Sequence, residues 1–428
     1  MRVSKPSPDR GCAPATEVSG PPYPPVVEPD THPVAIGLAR WLSATAVMLL
    51  ALSGCFDPDA PAPRDVVAFH PVADSIVPPI DPERVVPRDL ADEGSYPPSV
   101  RALLAGDPVL TVGVEDGDPD EMFGEIADGL LLAEDAFVLL DSQVGELRVF
   151  GMDGNLRYAF GELGSGPGEF MSPGDLLRPS PDRLWVLDRL GAVHFFFGSE
   201  DGFDFDRRAV TIPTAPRGGC VAGEEILLHL PIESGQHEDV VLHLVSDSAE
   251  SVRAFANPYS HSHAYVTNRM RAGVVGCDDA GVAVLALSGL GRVAAYRIED
   301  GELLWATELD GVQPARVEER EPGPSFVVGG SEGQEVIDEA LRVIPTPDDH
   351  VIVQWKRVAL ADLMTERGDN YSVISWVLDL GSGSGIFLGG TLPEILDWQG
   401  DRVLVRTEDL APRVRVLEVQ LVDPASPS

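Results

Sequence analysis

Lysine is nearly absent from this chain. Lys5 and Lys356 are the only two, and the other 29 of the 31 basic residues are arginines. Against 69 acidic residues they leave a formal net charge of −38. A surface so poor in positive charge excludes a nucleic-acid binder that works by neutralising phosphates. It also excludes docking on an anionic lipid surface by charge. The arginine preference reads as the codon bias of a GC-rich genome rather than as planar anion recognition. The acidity reads as a solubility device. Long apolar runs are missing too: residues 41–52 form an apolar stretch well short of the ~20 residues a membrane-spanning helix needs. No zinc-binding helix motif or phosphate loop occurs, which removes the commonest zinc-peptidase and nucleotide-binding readings. What is plentiful is Gly (43) and Pro (38), the residues of turns, in a chain of 428 residues that is 44% hydrophobic. That length can bury a sizeable core.

The amino terminus reads as an address. Residues 1–33 are Pro-rich without hydrophobic period, then Arg40 precedes the apolar run. The run has the length of a signal-peptide h-region. It ends in Leu52, Ser53, Gly54 and Cys55. This resembles the lipobox of bacterial lipoproteins, in which the cysteine is lipidated and becomes the first residue. Cys55 is therefore the expected lipidation site, and residues 1–54 the extension and signal peptide. A translation start at Val34 would give a signal peptide of ordinary length. Phe56, rather than Asp, follows the cysteine, which favours the outer membrane. Prolines recur through residues 55–104, the composition of a semi-extended tether.

The remainder reads as a repeat of short strands, with a turn or two of helix expected near residues 336–343. Asp135-Ala-Phe-Val-Leu-Leu-Asp141 recurs 47 residues on as Asp182-Arg-Leu-Trp-Val-Leu-Asp188. The flanks follow, Val149-Phe150 with Asp153-Gly154 and Phe196-Phe197 with Asp201-Gly202. Asp-Gly suits a hairpin whose second position needs φ > 0. Weaker copies start at Cys220, Cys277, Asp349 and Asp401. Six units of four strands at a period near 50 are propeller geometry. The expected fold is all-β, a six-bladed β-propeller of four-stranded blades over residues 105–421. The strand at 109–114 would complete the last blade and close the ring, and residues 422–428 would be a tail.

Phe160-Gly161-Glu-Leu-Gly164-Ser-Gly166-Pro167-Gly168-Glu169-Phe170 resembles the signature linking early blades of six-bladed, NHL-like propeller proteins. The departure is Ser165, where that family often has Glu. The Gly-Pro-Gly loop would bind an anion through its amides or, the plainer reading, make a tight connection between blades closed by Glu169. The same resemblance points to calcium-dependent lactonases, which hold a metal in the central channel. Asp128, Asp175, Asp278 and Asp397 fall near inner-strand ends and are the carboxylates that would hold Ca²⁺. His261 and His263 would converge if extended, as two ligands of a metal site that needs three or four. For Cys220 and Cys277 two readings stay open: a disulfide, favoured by an oxidising compartment, or buried thiols, since neighbouring blades diverge.

These readings converge on a lipid-anchored protein of the cell envelope. It has no nucleic-acid partner and touches the membrane through its lipid. Its leading role is non-catalytic: a binding or scaffold module for a protein, peptide or glycan, without cofactor. The alternative is a calcium-type lactonase or hydrolase using the channel carboxylates.

Overall fold

The computed structural model describes residues 82 and 84–421, apart from 134, 200–201, 211–215, 224, 232–239, 247–250, 260–263, 313–315, 321–322, 328–335, 360–370 and 409–410. Cys55, the lipobox, His261 and His263 lie outside the described residues, as does the unit Met1–Ala62.

Six antiparallel sheets of up-and-down strands follow one another along the chain. Their inner strands are Ile126–Ala133, Pro173–Ser180, Gly218–Ala222, Gly273–Cys277, Val336–Pro345 and Glu394–Gln399, one for each of blades one to six. These strands adjoin in sequence, and the sixth meets the first. The fold is a six-bladed β-propeller. Each second strand is the buried one: Ala136–Asp141 has no exposed residue, and Leu184 to Asp188 are buried in turn. It lies between two strands of its own sheet and between the faces of two neighbouring blades, so the continuous apolar pattern of Val-Leu-Asp is what that position requires. Closure follows the expected route. Asp107–Val112 pairs antiparallel with Pro412–Glu418 and becomes the outer strand of blade six. Joining the ring's first and last strands in one sheet removes its open seam.

Two expectations are corrected. The expected tether boundary at residue 104 lies too far along the chain. Arg84–Val86 adds a parallel strand to the outer edge of blade four, and Leu90 bridges to Phe387 on blade five. A helix, Pro98–Ala105, then buries Val100, Ala102 and Leu103 against Ile352, Val377 and Leu417 of blades five and six. Prolines that read as tether serve as helix-starting residues here, because Pro at the first helical position gives up an N–H that had no partner anyway. The helix has no local side-chain cap; Asp348 of blade five accepts from Ser99 N at 2.8 Å instead. The second correction concerns residues 336–343, expected to carry helical turns. They are strand, because Val343, Ile344 and Pro345 pair in register with Val353, Ile352 and Val351. Cross-strand packing of β-branched residues overrides the helical preference of Glu339-Ala-Leu-Arg342.

The Gly-Pro-Gly loop is a connection between blades one and two. Glu169 turns back and accepts from Gly166 N at 2.8 Å. A Cβ on Gly164 or Gly166 would overlap that carboxylate, and Gly168 has φ +77°. The glycines are therefore needed for close approach and for the left-handed turn. Phe170, fully buried, then packs on Phe196 and edge-on to His194.

Candidate functional site: the central channel

The six inner strands enclose a funnel of about 890 Å³. In an up-and-down blade the turns between first and second strands lie at one end of the disc. Residues of those turns, among them Pro181, Asp279, Thr346, Asp349 and Gly400, form the mouth. Towards the other end lie Asp128, Asp175 and Arg342. Leu130, Val221, Val274, Leu341 and Trp398 line the wall together with Arg178, Asp397 and Gln399, so the wall mixes apolar and polar side chains.

The floor is an ionic layer built from three blades. Arg342 donates to Asp128 Oδ1 at 2.8 Å, to Glu394 Oε1 at 3.2 Å and to the Ala127 carbonyl at 2.8 Å. Tyr371 donates to Glu394 Oε2 at 2.6 Å, and Lys356 rests 4.5 Å above the Tyr371 ring. Burial alone would lower the Arg342 pKa; Asp128 and Glu394 outweigh it and keep the guanidinium charged. Burial pushes Asp128 up, to about 7, against the pull of Arg342 and with a further push from Asp175. Both Asp128 oxygens accept hydrogen bonds, the pattern of a carboxylate, so the site favours the charged form above that pH.

Two of the candidate aspartates are interblade staples. Asp128 Oδ2 accepts from Leu176 N of blade two at 2.7 Å. Asp397 Oδ2 accepts from Leu131 N of blade one at 2.8 Å, and its Oδ1 from Trp398 N at 2.9 Å. Each carboxylate ties its own inner strand to the next. Burial pushes Asp397 up to about 6, opposed by those bonds and by Arg178. Asp175 holds the matching place in blade two, yet its Oδ2 is buried without a hydrogen-bond partner. Asp278 stands apart: it follows its strand and accepts from Val282 N at 2.6 Å, closing a turn at the mouth.

The structure thus brings Asp128 and Asp175 together and leaves Asp278 and Asp397 to other work. Among the described residues no three His, Cys, Asp or Glu side chains gather as a metal site requires. Where a cation would sit between Asp128 and Glu394, a guanidinium sits already, so the floor does not fit Ca²⁺, which takes six to eight oxygens.

Cys220 and Cys277 form a disulfide, Cα to Cα 5.5 Å, in the funnel wall. Blades do diverge, but the two cysteines lie on inner strands, where neighbouring blades are closest. Gly276 marks that proximity: a Cβ there would stand 2.3 Å from the Val343 carbonyl of blade five. Among the remaining histidines, His229 and His243 are buried in blade three, with His229 Nε2 on the Arg271 carbonyl at 2.9 Å. Sequence reasoning missed Arg342, Glu394 and Tyr371. Arg342 was hidden by the helical reading of its strand; an arginine on an inner strand, facing a channel, is the signal that would have exposed it.

No family model matches the chain, and no curated protein does. Solved structures resemble it in fold. A candidate exported protein from Bacteroides fragilis is 11% identical, with a TM-score of 0.46 over 73% of this chain and 94% of that one. The β-propeller domain of Myceliophthora thermophila Cps50 (Swd1) is 10% identical, with a TM-score of 0.40 over 74% and 100%. U3-55K is 12% identical, with a TM-score of 0.43 over 69% and 95%.

Proposed function

We propose that the protein is a non-catalytic binding module, held outside the cytoplasm by a lipid on Cys55, that receives a protein, peptide or glycan on its disc. The observation that carries this reading is the floor of the funnel. Two of its carboxylates, Asp128 and Glu394, are engaged by Arg342, Tyr371 and the Leu176 N–H, which makes the layer a brace between blades five, six and one. A brace suits a rigid receptor, because a preorganised surface loses little entropy when a partner binds. The lipobox and the proline-rich run after Cys55 support the anchor.

A thermal melt of the full chain with EDTA, with Ca²⁺ and with Zn²⁺ separates this reading from the hydrolase alternative. A ligand confined to the folded state at 100 times its Kd adds about 2.7 kcal/mol. Identical melts are expected. A rise with one metal, lost in Asp128→Asn and Asp175→Asn, would return the channel to the hydrolase reading. The anchor is tested by labelled fatty-acid incorporation, which Cys55→Ala should abolish.

A further inference from the structure

The end of the disc opposite the funnel mouth carries an apolar patch on blades one and two. It consists of Met122, Val144, Leu163, Met171 and Leu190, between 39% and 54% exposed. Single exposed apolar residues are ordinary, but a contiguous group is the mark of an interaction surface. Contiguity here follows from the backbone. Val144 lies in the turn between the second and third strands of blade one, and Leu163 covers Gly145 of that turn, with its side chain 2.8 Å from where a Cβ on Gly145 would stand. Leu163 pairs in parallel register with Phe170, the neighbour of Met171. Met171 and Leu190 are drawn together by one carboxylate, Asp188, which accepts from Met171 N at 2.7 Å and Leu190 N at 2.8 Å. Asp141 repeats the arrangement one blade earlier, accepting from Gly124 N and Gln143 N and so placing the Met122 segment beside Val144.

The surroundings say what fits. Asp120, Glu121, Glu125 and Glu162 are exposed around the patch, against Arg189. We infer that this end of blades one and two docks a polypeptide segment with an apolar anchor flanked by Lys or Arg. The apolar centre supplies the contact, and the acidic rim supplies orientation and association rate. Two methionines give the centre side chains that adapt to different anchors. The inference rests on the binding-module reading and narrows it to one face and one partner chemistry.

The test uses the full chain and three synthetic peptides: one with leucines flanked by lysines, one with serines replacing the leucines, and one with glutamates replacing the lysines. Binding is followed by fluorescence anisotropy and located by hydrogen exchange. The leucine–lysine peptide should bind and protect residues 142–145, 162–172 and 188–191. Leu163→Ser with Leu190→Ser should weaken it at least tenfold, and both altered peptides should bind at least tenfold more weakly. Val109→Ser, on the outer strand of blade six, should change nothing. Because the substituted leucines are already exposed, the variants should melt with the parent protein. Equal binding of the serine peptide would reduce the effect to bulk charge and overturn the proposal. So would self-association of the protein that Leu163→Ser and Leu190→Ser abolish, which would make the patch a contact between copies. Protection confined to the funnel mouth would also overturn it while leaving the binding-module reading intact.

Discussion

Arg342 on blade five bonds Asp128 on blade one at 2.8 Å, passing over blade six, whose Glu394 it holds on the way. Removing the guanidinium strands two buried carboxylates. Breaking a buried ion pair at one partner costs about 3–5 kcal/mol. Arg342→Met should lower stability by about that amount in urea titration. Arg342→Met with Asp128→Asn and Glu394→Gln should recover most of the loss, because the two carboxylates that Arg342 pairs are then neutral. If the single variant unfolds at the parent midpoint, the layer is not a brace.

The staples predict an unequal pair. Asp397→Ala leaves the Leu131 and Trp398 N–H groups without their acceptor. An unsatisfied buried donor costs roughly 1–3 kcal/mol. Asp175→Ala removes an acidic neighbour of Asp128 and an oxygen that accepts no bond. Since Asp175 also helps to hold Arg342 charged, the substitution should cost less than Asp397→Ala rather than as much. Urea midpoints of the two variants check the contrast, and equal losses would refute the distinction drawn between these positions.

The disulfide closes a separation of 57 residues. Chain-entropy reasoning gives such a loop a stabilisation of about 4 kcal/mol, and native disulfides usually contribute 2–5. Reductant should therefore lower the melting temperature of the protein and leave that of Cys220→Ser with Cys277→Ser unmoved. A reductant effect of the same size on both would place its action elsewhere.

Much of this fold is legible in the chain, and the reason is Asp141 and Asp188. Each ends a buried strand and gathers three backbone N–H groups, Gly124, Glu125 and Gln143 in one case and Met171, Ser172 and Leu190 in the other. The same three positions recur 47 residues apart, so the sequence repeats because the hydrogen bonds do. The glycine loop is legible for a similar reason, since its spacing is set by Glu169 folding over it. The strap before Asp107 was not, because its contacts are with blades four to six, far along the chain. Its helix is capped by Asp348, 249 residues away. The ionic layer was half legible. Aspartates at strand starts stand out in sequence, but their partners are an arginine from another blade and backbone amides, which no spacing reveals.

That distant cap has its own signature. Burial alone would raise the Asp348 carboxyl, but bonds from His350, Thr346 and Ser99 hold it well below the usual range. A depressed carboxylate adds stability above its unfolded pKa and loses it as pH falls through the folded one. Asp348→Ala should speed hydrogen exchange in residues 98–105 at pH 7, since loss of a cap costs about 1 kcal/mol. Exchange elsewhere in the propeller should stay at the parent rate; uniform acceleration would make Asp348 a general stabiliser and not a cap.

Three buried histidines set the acid behaviour. Burial is the chief cause that pushes His194, His229 and His243 down to about 4 from an ordinary 6.5. Between those values the unfolded chain takes up protons that the folded chain refuses, so stability falls as pH drops from 6.5 to 4. Each shift is worth on the order of 3 kcal/mol. Asp128 and Asp397 act in the opposite sense. Their pKa values are raised, to about 7 and about 6, so over the same window the folded chain keeps protons that the unfolded chain has lost. Stability from these two declines as pH rises. The two sets oppose each other, so stability varies with pH less steeply over this window than the histidines alone would make it. His194 is the place to test this, because neither ring nitrogen has a hydrogen-bond partner and the ring is fully buried. His194→Leu removes one of the three, and its stability should rise with pH less steeply than the parent's in that window. A slope as steep as the parent's would mean that His194 is already protonated in the fold, paired with the Asp188 carboxylate 3.8 Å away.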